Sequence, residues 1–198
     1  MIKNVVLDIG NVLGTFRWRE LMEDLHFSSE ATEVLTKNMI MSPYWSELDR
    51  GVMTTEAVIE EFKKSCPDYT REIDVFFDNA EYLVQEYDYA QSLVKNFKEQ
   101  GYGVYLLSNY PTFIFEIHKR TQFTFLPYVD GKVVSGYVHM VKPNHDIYEY
   151  LLATYDLKAE ECVFFDDKPE NIQAAIEIGM KGIVFHSYEQ AISDFLEL

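Results

Sequence analysis

The chain has 198 residues, enough for one substantial core with an elaboration and too few for two large domains. It is 47% hydrophobic and 25% charged, a balance that suits a packed globular protein and excludes wholesale disorder. A formal charge of −16 repels nucleic acid and anionic membrane surfaces, so neither is expected as a partner, and any phosphate-bearing ligand must be neutralised locally by a metal ion and a few placed cations.

Ile2 to Leu7 is a short apolar run, Lys3 and Asn4 aside, that stops abruptly at Asp8-Ile9-Gly10-Asn11. Its length and β-branched content predict a buried strand, with Gly10 and Asn11 permitting a tight turn at its carboxyl end. No basic region followed by a signal-like apolar stretch precedes it, and nowhere do about 18 apolar residues run together, so neither export nor membrane spanning is expected. The two cysteines, Cys66 and Cys162, stand alone in sequence and fit a reducing, cytoplasmic setting. Residues 15–87 then change character. Aromatic and acidic helix-like stretches replace strand-like runs, with turns at Ser42-Pro43 and Asp49-Arg50-Gly51, and they predict a helical insertion lying as a cap over the strand ends.

From residue 88 onward strand and helix patterns alternate. Asp88 to Gln100 carries apolar residues at Ala90, Leu93, Val94 and Phe97, a helical spacing closed by Gly101. Gly103 to Leu107 is a second apolar strand, ending at Ser108-Asn109. Tyr128 to Met140 is expected to form a β-hairpin with Asp130-Gly131 as its turn. Asn144 to Tyr155 and Pro169 to Ile178 have helical spacing and flank a third strand, Cys162 to Phe165, which ends at Asp166-Asp167. Such alternation implies a parallel sheet wrapped by helices, with ligands bound beyond the carboxyl ends of the strands, where the three polar termini converge.

Each terminus has an ordinary reading beside a chemical one. Asp8 alone reads as a turn or helix-cap residue, yet a carboxylate there can also attack phosphorus. Ser108-Asn109 can cap a helix or hold phosphoryl oxygens. Lys142, fixed by Pro143, is either a solvated charge or a cation for a phosphoryl group. The adjacent Asp166 and Asp167, with Asn171 four residues after Asp167, either cap a helix beside a solvated neighbour or repel each other unless a cation lies nearby, and hard oxygen ligands of this kind suit Mg²⁺. The five histidines show no ligand-like spacing.

Taken together and in order, these segments resemble the haloacid dehalogenase-like superfamily. Its four motifs are similar to VVLDIGNVL at Val5 to Leu13, LLSN at Leu106 to Asn109, VKP at Val141 to Pro143 and FFDDKPEN at Phe164 to Asn171. The resemblance spans nearly the whole chain. It implies an α/β fold: a Rossmann-like parallel sheet flanked by helices, formed by residues 1–14 and 88–198, with a small inserted helical cap at 15–87. It further implies a Mg²⁺-dependent phosphatase of small phosphorylated metabolites. Asp8 is then nucleophile and metal ligand, the Gly10 carbonyl and Asp167 complete the protein's share of the metal site, and Asp166, Asn171 and Asn11 support it. Ser108, Asn109 and Lys142 bind the phosphoryl group, Lys142 also orienting Asp8. Nothing in the residues addresses oligomeric state.

One departure from the motif matters. Phosphatases of this superfamily carry a second Asp two residues after the nucleophile as general acid and base, a contribution of roughly 10²–10⁴-fold; here that position is Gly10. Three accounts follow. The leaving group needs little protonation, as in a sugar 1-phosphate, and DIGNV is similar to a subgroup of sugar-1-phosphate phosphatases. Alternatively another group takes over the proton: His26 or Glu47 from the cap, or a water held by Asn11. Or the chemistry differs, as in the metal-independent 2-haloacid dehalogenases or a feebly active phosphate-binding protein on the same scaffold. The paired Asp166 and Asp167 favour phosphate. Within the cap, Trp45 and Arg50 are candidates to face the substrate, with core packing and an exposed turn as their ordinary readings.

Overall fold

The computed structural model describes all of residues 1–198. Strands β1 (Asn4–Leu7), β4 (Gly103–Ser108), β5 (Gly131–Val134), β6 (Cys162–Asp166) and β7 (Lys181–Val184) form one parallel sheet in the order β5-β4-β1-β6-β7. The remaining strands, β2 (Gly14–Phe16) and β3 (Val84–Glu86), pair antiparallel as a separate two-stranded ribbon. Val5, Val6 and Leu7 are fully buried, as befits a central strand covered on both faces.

Between the two ribbon strands the chain is helical, as its composition predicts: α1 (Trp18–Asp24), α2 (Ser29–Leu35) running into a π turn at Thr36–Ile40, α3 (Pro43–Arg50), α4 (Thr55–Ser65) and α5 (Thr70–Asp78). After the ribbon come α6 (Ala90–Glu99), α7 (Thr112–Thr121), α8 (Ser135–Val138), α9 (His145–Tyr155), α10 (Pro169–Glu177) and α11 (Tyr188–Leu196). In α6 the buried residues are Ala90, Leu93, Val94 and Phe97, the set its spacing marks. No helix is long and apolar enough to cross a membrane.

The expected hairpin over Tyr128 to Met140 is not formed. Gly131–Val134 joins β4 in parallel, with Tyr105 opposite Gly131 and Ser108 opposite Val134, and Ser135–Val138 turns into α8. Asp130 acts as an anchor here: its Oδ2 accepts from the Val104 N–H at 2.8 Å, and Lys98 pairs with Oδ1 at 2.7 Å. A side chain and a backbone from 26 to 32 positions upstream thus claim the residues that local turn chemistry would have used.

One apolar cluster runs through both regions. Val5, Leu7 and Phe165 of the sheet belong to the same buried set as Leu21, Leu48, Phe62 and Phe76 of the helical insertion. Trp45 stacks in the insertion with Phe62 and Phe77 and tilts against Phe16 of the ribbon. This continuity seats α3 above the carboxyl ends of the strands.

Candidate active site

Register assembles the site. Leu7 stands opposite Leu106 and Phe165, so the next residue, Asp8, falls beside Leu107 on one flank and Asp166 on the other. β1 is also where the strand order reverses, the crevice position expected of a ligand site in such sheets. The turn beyond Asp8 needs Asn11 in a left-handed conformation (φ 57°), which Asn tolerates, and its N–H donates to the Gly14 carbonyl at 2.6 Å.

Lys142 is the hub. Its Nζ lies 3.0 Å from Asp8 Oδ1 and 2.6 Å from Asp166 Oδ2, and it donates to the Leu107 carbonyl at 3.0 Å, with the ammonium itself buried. Asp166 is saturated: Oδ1 accepts from the Lys168 N–H at 2.8 Å and Asn171 Nδ2 at 2.9 Å, and Oδ2 from Lys142 and Asn171. Asp8 Oδ1 accepts from the Ile9 N–H at 2.7 Å and from Lys142, which leaves Oδ2 to the cavity that Asp8 lines.

One ammonium shared by two carboxylates sets the electrostatics. Burial pushes the Asp8 carboxyl up to about 6, against the pull of Lys142 and with the help of Asp166. Burial pushes Lys142 down, but the two carboxylates outweigh it and hold the ammonium above its ordinary value. Carboxylate oxygens of Asp8, Asp166 and Asp167 all lie within 4.8 Å of one another. Three carboxylates and one ammonium leave two net negative charges, a match for a divalent cation. Because Asp166 is saturated, the oxygens free for such a cation are those of Asp8 and of Asp167, whose Oδ2 so far takes only the Asn11 amide at 2.9 Å. Ser108 Oγ lies near enough to favour the charged form of Asp8, yet it is buried with no hydrogen bond of acceptable geometry. An orphaned hydroxyl of this kind implies a partner that arrives with the ligand.

The structure therefore brings together Asp8, Gly10, Asn11, Ser108, Lys142, Asp166, Asp167 and Asn171 at one group of strand ends. Asn109 lines the cavity as well, and its side-chain amide is engaged: Nδ2 donates to the Lys142 carbonyl at 3.0 Å and Oδ1 accepts the Lys142 N–H at 2.8 Å. Both ends of its amide are spent on positioning the lysine. Neither His26 nor Glu47 lines the cavity; His26 is exposed, and Glu47 faces Arg50 at 3.8 Å. Trp45 does line it, while Arg50 does not.

The cavity encloses about 260 Å³. Its floor is the polar cluster, and its roof is apolar, built from Phe16, Ile40, Trp45, Leu83, Val84 and Ile114. Two of its residues carry chemistry to which the sequence reading gives no role: Lys168, within the fourth motif beside the acidic pair, and Asp49 on α3, which no motif contains. The trace of Asp49 in the sequence is its i, i+4 spacing from Trp45, which places both on one helix face.

A parallel sheet with an acidic, lysine-bridged cluster beyond its central strand, facing a cavity roofed by apolar side chains, is the arrangement of an α/β protein with its site at the strand ends. The chain belongs to the haloacid dehalogenase-like hydrolase family, whose model matches residues 2–179. It is 28% identical over 184 residues to a sesquiterpene phosphatase of Aspergillus oryzae, covering 91% of this chain and 88% of that one. It is 26% identical over 195 residues to a drimenol cyclase of Aspergillus calidoustus, a longer protein of which the match spans 35%. Among solved structures, a Bacteroides thetaiotaomicron enzyme of the same family, in complex with magnesium and inorganic phosphate, superposes with a TM-score of 0.80 at 21% identity, covering 98% of this chain and 100% of that one.

Proposed function

We propose that this chain is a Mg²⁺-dependent phosphatase that hydrolyses a small phosphate monoester through an aspartyl-phosphate on Asp8. The observation that carries the reading is the pairing of an Asp8 oxygen open to the cavity with the orphaned Ser108 hydroxyl, both beside the buried Lys142 ammonium. In the first step Asp8 Oδ2 forms a bond to phosphorus and the ester P–O bond breaks, its electron pair leaving with the alcohol oxygen. Ser108 Oγ and Lys142 Nζ hold the phosphoryl oxygens while Lys142 keeps Asp8 Oδ1 in place. Water then displaces Asp8 from phosphorus, releasing inorganic phosphate and restoring the carboxylate.

Asp8, Asp167 and the Gly10 carbonyl would hold the Mg²⁺, with Asp166, Asn171 and Asn11 fixing those ligands. The ion supplies neutralisation of the phosphoryl charge, which a −16 chain otherwise repels. The phosphatase name of one relative and the magnesium and phosphate bound by the structural neighbour support the reading. A halide displacement needing no metal gives no use to three clustered carboxylates, which weighs against the dehalogenase alternative.

Two observations bear on the alcohol. Gly10 and the DIGNV motif favour a sugar 1-phosphate, whose hemiacetal oxygen leaves readily. The apolar roof favours a hydrocarbon alcohol, and the sesquiterpene phosphatase relative points the same way. Hydrolysis of p-nitrophenyl phosphate tests the common core: it requires Mg²⁺, stops with EDTA and is lost by at least about 10³-fold in Asp8→Asn. Turnover that survives EDTA or Asp8→Asn refutes the proposal. A panel of prenyl monophosphates beside sugar 1-phosphates then ranks the two alcohol classes.

A further inference from the structure

Cleaving an alkyl phosphate expels an alkoxide that must gain a proton, and the water that later attacks the phosphoenzyme must lose one. Gly10 has no side chain to do either. A Cβ built there meets nothing within 4 Å, so the space beside the nucleophile is open cavity. The last turn of α3 borders the same cavity, which Asp49 lines together with Asp8, Gly10 and Lys142.

The backbone of Asp49 is pinned to the catalytic half of the molecule. The Tyr110 N–H donates to Ser135 Oγ at 2.8 Å, and Ser135 Oγ donates to the Asp49 carbonyl at 2.6 Å. His139 Nδ1 meets the Arg50 carbonyl at 3.1 Å, and Gly51 closes the helix in a left-handed conformation against Gly136. The loop that follows Ser108 therefore sets the height of Asp49 above the site. Its carboxyl, by contrast, takes part in no hydrogen bond or ion pair within the chain and is left to the cavity.

We propose that Asp49, reaching down from α3, is the proton carrier of the reaction, replacing in space the carboxylate that is absent at Gly10. This inference rests on the phosphatase reading above. As Asp8 Oδ2 bonds to phosphorus and the P–O bond breaks, the Asp49 carboxyl gives its proton to the departing alcohol oxygen. In the second step the Asp49 carboxylate takes a proton from water as the water oxygen bonds to phosphorus and the P–O bond to Asp8 breaks. Asp49 ends the cycle protonated, as it began.

The setting of the carboxyl suits both halves of that cycle. The charged groups that face it are Lys168, Asp8 and Lys142, with the Tyr110 hydroxyl nearby. Desolvation holds it up at about 7, with Asp8 adding to the shift and the two lysines opposing it. Lys168 faces Asp49 as its counter-charge, and the remaining titratable groups around the cavity have different commitments. The Tyr110 hydroxyl is held by His118 Nδ1 at 2.5 Å, and Asp8, Lys142 and Asp167 carry the nucleophile and the metal charge.

The test compares kcat/KM for a simple alkyl phosphate and for p-nitrophenyl phosphate, whose phenolate leaves without a proton. Asp49→Asn keeps the shape and removes the proton. The expected loss is about 10²–10³-fold for the alkyl ester and less than about tenfold for the aryl ester. With the aryl ester Asp49→Asn also gives a burst of p-nitrophenolate and accumulates phosphoenzyme on Asp8, seen by intact mass, because water activation is now slow. Gly10→Asp added to Asp49→Asn places a carboxyl in the open space and recovers at least about tenfold for the alkyl ester. Equal losses for both esters with no phosphoenzyme, or no loss at all, overturn the role of Asp49 while leaving the phosphatase reading in place. Absence of Asp8-dependent turnover in the parent enzyme overturns both.

Discussion

Asp49 is also where function and stability pull apart. An acid whose pKa is raised from 3.8 unfolded to about 7 folded holds a proton in the native state that the unfolded chain gives up, so its contribution to stability falls as pH rises between those values. Asp49→Asn removes that loss. The variant should match the parent chain near pH 4 and exceed it at pH 8, by roughly 1–3 kcal/mol once the partial exposure of the side chain is discounted. Urea denaturation in EDTA across that pH range checks the sign; a constant difference would mean that the carboxyl is as well solvated folded as unfolded. A residue whose removal stabilises the fold while slowing alkyl-ester turnover is kept for chemistry. Lys142 is the opposite case, because its ammonium is what allows Asp8 and Asp166 to be buried side by side.

At the scale of elements, α3 and α8 meet through two glycines. Gly51 has φ +70°, and a Cβ there would crowd the Gly136 backbone, its Cα at 2.9 Å. Gly101 has φ +88° with open space around the added atom. Both substitutions to Ala incur left-handed strain of about 1–2 kcal/mol, but only Gly51→Ala must also push α3 away from α8. Gly51→Ala is therefore expected to lower the melting temperature by roughly twice as much as Gly101→Ala, and to reduce alkyl-ester turnover, which Gly101→Ala spares. Equal thermal shifts would mean that the α3–α8 contact yields without strain. These elements also mark what the sequence discloses. The strand-to-helix alternation and the helical character of residues 15–87 are legible because they rest on local periodicity. The ribbon strands β2 and β3 have three residues each, too few to show a period, and β5 escapes local turn chemistry because its partner is the distant β4. That Asp8, Ser108 and Asp167 stand at strand ends is legible from the apolar runs before them, and Lys142 from its place before Pro143 in the VKP motif, whereas Asp49 gains its place only when the insertion docks.

Over the whole molecule, an acidic chain that handles phosphate must reverse its own field at one spot. The two unneutralised negative charges at the strand ends are destabilising in the free protein and would become favourable with a divalent cation between Asp8 and Asp167, as proposed. Binding to the folded state alone stabilises it by mass action, about 2.7 kcal/mol at a hundred times Kd. For a chain of this length that corresponds to a rise in melting temperature of roughly 5–10 °C. Mg²⁺ should produce such a rise in the parent protein, EDTA should reverse it, and Asp167→Asn should abolish most of it. Asp167 is partly exposed and touched only by the Asn11 amide, so this substitution leaves the apolar core intact. A rise that persists in Asp167→Asn would place the cation elsewhere on the acidic surface and leave the three clustered carboxylates without it.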